Sequence, residues 1–177
     1  MKHYTHILNG ASLAGVASFS MYLLVFYAFG INPIGPIKFL GVAIPITFFV
    51  LSLKKYRDET LEGNMPFSAV VTPGMLFAFI YASLTAALFF FFVNYVDSAI
   101  LELNKLEQLK QLGQTKDLLI EYLGKEKYEL AIEELKNMQA NTLALSDFFS
   151  KFLTVVVFNL VIGAIMRQTL NTTALDE

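Results

Sequence analysis

Four stretches of this chain are apolar over lengths that reach, or nearly reach, the depth of a bilayer's hydrocarbon layer, and this narrows the possible folds more than any other feature. Crossing ~30 Å takes roughly 20 helical residues. The stretches run from about 7 to 30, 37 to 53, 67 to 96 and 148 to 166. None alternates with a period of two. In lipid every backbone N–H and C=O must find its partner within the protein, so the segments are predicted to be helices. The expected fold class is all-α: a polytopic membrane protein with four transmembrane helices, one domain over 1–177. Composition agrees, at 55% hydrophobic and 16% charged with 17 Phe. The first run starts weakly basic, as a signal peptide does. It exceeds the roughly 7 to 15 residues of a signal core and a second run follows at once, so it reads as a retained span.

Charge is concentrated where the apolar runs stop. "KKYRDETLEGNMPF", between the second and third runs, groups Lys54, Lys55 and Arg57 with Asp58, Glu59 and Glu62. A short connection rich in Lys and Arg is held on the cytoplasmic side, so this one is expected there, with Lys2 and Arg167. Both termini are then cytoplasmic, and the turn "GINPIGP" at 30–36 lies outside. Lys38 follows that turn closely enough to snorkel, and Lys151 or Arg167 would do the same for the short fourth span. Pro45 is expected to kink the second span. Tyr4, Tyr56 and Tyr95 would anchor the interfaces, since the chain has no Trp.

Residues 97–147 are the one region of soluble character, expected as an extracytoplasmic helical hairpin. "DSAILELNKLEQLKQLG" has Leu at 103, 106, 109 and 112 before Gly113, a predicted C-terminal cap. "TKDLLIEYLG" reads as a short helix closed by Gly124. Tyr128, Ile132, Leu135, Met138 and Leu145 form a stripe at amphipathic-helix spacing that needs a partner, either the other arm of the hairpin or another chain. No Pro or Gly interrupts Met75 to Leu112, so the third span is expected to run on into the first helix of the hairpin. Ser146 and Asp147 are predicted to cap the fourth span.

Equipment for chemistry is sparse. There is no cysteine, hence no disulfide or thiolate. A net charge of −2 offers no basic field for nucleic acid. With the fourth span starting at 148, the four spans hold no Asp or Glu, which leaves little for a proton relay. His3 and His6 lack a third ligand, so no metal or other cofactor is expected. "EELK" at 133–136 lacks the partners of an intramembrane protease, no phosphate loop is present, and "NTT" at 171–173 falls on the cytoplasmic side. Gly10, Ala14 and Ser18, four apart with Gly15 beside them, mark a helix-packing seam, internal or between copies.

Taken together, "NGASLAGVASF", "KKYRDETLEGNMPFSAVVTPG", the polar insert and "FNLVIGAIMRQ" resemble the small membrane proteins grouped as domain of unknown function 4199, found mainly in Bacteroidota. Lys55, Tyr56, Arg57, Asp58, Gly63 and Phe67 match the pattern of that family's loop. Glu62 and Pro66 stand where the family usually has Gly and Ser. The resemblance implies four helices in a bacterial inner membrane and no established activity. Lys54 to Asp58, Gly63 and Phe67 are expected to form a cytoplasmic elbow holding helices two and three. The expected function is non-enzymatic: an accessory or assembly subunit whose hairpin binds a protein partner or a second copy, with lipid the only other partner. The alternative is a small oligomeric transporter or channel, in which Pro45, Pro73 and Gly74 break helices around a path.

Overall fold

The structure, a computed structural model, describes residues 2–63 and 65–166, with side chains from Gly10 onward apart from positions 36 and 39. The described residues form helices and short connections: α1 (Lys2–Ala28), a 3-10 helix (Pro36–Val42), α2 (Ala43–Thr60), α3 (Phe67–Phe91) with a π-helical turn at Phe92–Val96, α4 (Ala99–Gln114), α5 (Lys116–Leu123), α6 (Lys125–Lys136) and α7 (Ala140–Met166). Among these residues three segments are long and apolar enough to cross a membrane: Gly10–Ala28, Phe67–Val96 and Ala140–Met166.

The second apolar run departs from expectation. Its first part winds as the 3-10 helix, and α2 turns polar after Leu53, so it is not one uniform span. Pro45 is the third residue of α2. It stands just after the switch from 3-10 to α-helix at Val42–Ala43, through which the backbone stays helical. Close approach to α1 depends on small residues. A Cβ at Gly15 would touch Pro45 Cα at 3.5 Å, and one at Gly41 would come within 2.7 Å of the Phe19 ring. The packing seam therefore lies beside the predicted one. Ala11, Gly15 and Phe19 are buried, whereas Gly10 is exposed and Ala14 and Ser18 are half-buried.

α3 is the central helix, packed most extensively along α7 and next along α1. Phe77 stacks on Phe49 of α2 with ring centroids 4.9 Å apart, and Tyr81 and Phe89 continue its buried face toward α1. Pro73 removes one hydrogen bond from α3, and next to it α7 comes very close. Asn159 Nδ2 donates to the Val71 carbonyl at 3.1 Å, and any Cβ on Gly74 would overlap the Asn159 amide.

α3 does not run on into α4. The π-helical turn ends at Asp97, which is extended at φ −151°, ψ 97°. Its Oδ1 accepts the Ala99 N–H at 3.0 Å while Oδ2 accepts the Tyr27 hydroxyl at 3.0 Å, so one carboxylate starts α4 and ties it to α1. Asn32 Nδ2 donates to Glu107 at 2.9 Å, which holds α4 against the turn after α1. That turn and the 97–139 insert thus share one end of the bundle, and the α2–α3 connection lies at the other. Gly113 falls inside α4 and caps nothing, whereas Gly124, at φ 85°, closes α5 as expected. α7 is unbroken from Ala140, so Ser146 and Asp147 are interior to it and not a cap.

Candidate functional site

The predicted elbow is mostly helix. Lys54, Lys55, Tyr56, Arg57 and Asp58 occupy the last turns of α2, and Arg57 Nε donates to Asp58 Oδ1 at 2.8 Å. The Arg57 carbonyl accepts both Leu61 N and Gly63 N, at 3.3 and 3.2 Å, while Glu62 and Gly63 take positive φ of 48° and 86°. This left-handed termination satisfies the Arg57 carbonyl twice over and turns the chain toward α3. Phe67 opens α3 with its ring beside Gly163 of α7, where a Cβ would stand 3.0 Å away. The connection thus joins α2, α3 and α7.

The amphipathic stripe of the insert is largely used within the chain. Tyr128, Leu135 and Met138 are buried and Ile132 is half-buried, while Leu145 is exposed on α7. What the insert leaves uncovered lies elsewhere, at Leu103, Leu106 and Leu130 and above all on α5. No residue of α5 is buried, and Leu118, Tyr122 and Leu123 are 56%, 76% and 50% exposed.

The most unusual chemistry was not expected. Because α7 starts at Ala140, its inward face reads Leu143, Asp147, Lys151, Val155, Asn159, Gly163, four apart throughout, so an acid and a base occupy core positions. Lys151 Nζ donates to Asp147 Oδ2 at 2.6 Å, with the two side chains 5% and 1% exposed. The ammonium also lies 4.3 and 4.2 Å from the ring centroids of Phe19 and Phe89, a double cation–π contact. Lys38 Nζ approaches Asp147 Oδ1 from the 3-10 helix at 3.7 Å, too far for a hydrogen bond. Neither Lys38 nor Lys151 reaches out as a snorkelling side chain. Both turn toward Asp147, because an inward carboxylate replaces solvation that lipid would not give.

This cluster joins four elements: α1 through Phe19, α3 through Phe89, the 3-10 helix through Lys38, and α7. The Tyr22 hydroxyl, donating to the Ile37 carbonyl at 3.0 Å, holds the 3-10 helix in register with α1. Asp147 Oδ1 has no hydrogen-bond partner among the described residues. Asp147 is among the residues lining a cleft of about 580 Å³ between the 3-10 helix with α2 on one side and α7 on the other. The sequence did carry a signal for the cluster, the four-residue register from Asp147 to Gly163. Ending the insert at Asp147 hid it.

Among the described residues no three His, Cys, Asp or Glu side chains stand together as a metal site would need. The side chains of Lys2, His3, Tyr4 and His6, and all of Arg167 and the 171–173 sequon, lie outside the described residues. Tyr56 is half-buried and Tyr95 is 77% exposed. Neither a curated protein nor a solved structure matches the chain at a significant level. A family model does, over residues 9–168, and it takes in α1 from its second turn, the connection from α2 to α3, the insert and the whole of α7. With that match, the chain belongs to the family described as "Protein of unknown function (DUF4199)".

Proposed function

We propose that this protein is a non-enzymatic integral membrane protein that serves as an accessory or assembly subunit, with α4–α6 as its association surface. The observation that carries the reading is α5, whose Leu118, Tyr122 and Leu123 are exposed and which has no buried residue. An apolar tip gains nothing from water, and such patches mark contact sites. The non-enzymatic reading is supported by the buried cluster, where Lys151 is held by a carboxylate and two rings, as a helix lock is and a nucleophile is not.

In this reading the 3-10 helix and the apolar part of α2 make a fourth crossing. At ~2.0 Å and 1.5 Å per residue, Pro36 to Leu53 covers roughly 30 Å, the depth of the hydrocarbon layer. Lys54, Lys55 and Arg57 then face the cytoplasm together with both termini, the membrane is a bacterial inner membrane, and the insert lies outside.

Native mass spectrometry in mild detergent tests the association. The wild-type chain is expected with a second copy or a stoichiometric protein. A triple variant, Leu118→Asp, Tyr122→Asp and Leu123→Asp, is expected to lose at least about tenfold of that species. A wild-type protein that is monomeric and alone, or a variant with unchanged association, overturns the proposal.

A further inference from the structure

We propose that the groove between α1 and α3 seats one acyl chain of a membrane lipid, a site that requires the chain to be in a membrane but not the association assigned to α4–α6. The groove runs beside Ser20 to Leu24 of α1 and Thr85 to Phe92 of α3, and Pro33 and Ile34 close its end. Both walls therefore belong to segments long and apolar enough to cross a bilayer. In a span the medium that covers an outward groove is hydrocarbon.

The lining selects a tail over a headgroup or water. Every side chain in it is uncharged. Its two hydroxyls are spent within their own helices, Ser20 donating to the Val16 carbonyl at 2.7 Å and Thr85 to the Tyr81 carbonyl at 3.0 Å. A buried water needs about two to four polar partners, and here it would find none to spare. Phe19, Ile34 and Phe89 are buried at the inner side, while Leu24 and Leu88 are 54% and 43% exposed at the mouth. Leu24 lies one turn from Met21, which is 70% exposed, so the mouth is continuous with the outward face of α1. The space amounts to about 110 Å³. An apolar cavity of ~150 Å³ stays dry and takes up benzene, so this one suits a few methylenes. Left empty, it would deprive Phe19 and Phe89 of contacts, and these are the rings that hold the Lys151 ammonium at 4.3 and 4.2 Å. A tail in the groove thus braces the buried pair from the lipid side.

The test is photolabelling of the full chain, sparsely reconstituted in vesicles of phosphatidylcholine with a mid-chain diazirine, and mapped by peptide mass spectrometry. Label is expected at Leu24 and Leu88, with Met21 as the reference for lipid that merely passes. Ser20→Leu grows a side chain into the groove and is expected to lower the label at Leu88 about threefold or more while Met21 keeps its own. Leu24→Trp narrows the mouth from an exposed position and is expected to do the same, so the test stands if one variant fails to fold. Phosphatidylglycerol with the same labelled chains is expected to give the same pattern, because no charge lines the groove. Label at Leu88 that neither variant lowers, or a pattern that changes with the headgroup, overturns the proposal. Protection of Leu24 and Leu88 in the wild-type chain while Met21 is labelled also overturns it, because protein would then cover the groove.

Discussion

Two of the lysine–carboxylate pairs four residues apart among the described residues have opposite settings. Lys55 and Glu59 sit 3.9 Å apart near the end of α2, with side chains 60% and 53% exposed. Asp147 and Lys151 sit 2.6 Å apart on the inward face of α7, almost fully buried. The first pair competes with water and salt, which leaves it little net energy. The second has no water to return to, so each charge depends on the other and on the phenyl rings around it. Identical spacing thus yields a solvated helix end in one case and a joint between helices in the other. What distinguishes them is which helix face packs against α3.

The widest separation should come from breaking each pair. Lys151→Met alone strands the Asp147 carboxylate in the core and is expected to cost about 3–5 kcal/mol, seen as a large fall in thermal stability in detergent. Adding Asp147→Leu should restore much of that loss, since an apolar pair of similar volume needs no partner. If the double variant were no more stable than the single one, the cost would lie in lost packing and not in a stranded charge. An intermediate effect is expected at the Asn159 joint two turns further along α7. Gly74→Ala must push the Asn159 amide away and should cost about 1–3 kcal/mol, again in thermal unfolding. The smallest effect belongs to Lys55→Ala, expected within about 0.5 kcal/mol of wild type. A larger loss there would show that the end of α2 is held by more than its surface charges.

Much of this was legible before any coordinates. Apolar runs longer than a soluble core needs, without period-2 alternation, dictate helices in lipid, and Gly124 announces a chain reversal by conformational freedom alone. Boundaries were legible only where local chemistry sets them. Asp97 breaks the α3–α4 rod because its carboxylate is shared between Ala99 and Tyr27, and Tyr27 lies seventy residues away. Ser146–Asp147 looks like a helix start because those residue types favour caps. In the structure a helix already under way from Ala140 carries them, and the same carboxylate becomes a core residue.

By itself, then, the sequence determined that the chain is helical, that its apolar segments belong in a membrane, and that its charge gathers between them, since composition and periodicity act locally. The tertiary structure alone decided which charges are buried. Burial depends on what stands opposite, and only the packing of α1, α3 and the 3-10 helix around α7 brings Phe19, Phe89 and Lys38 to Asp147 and Lys151.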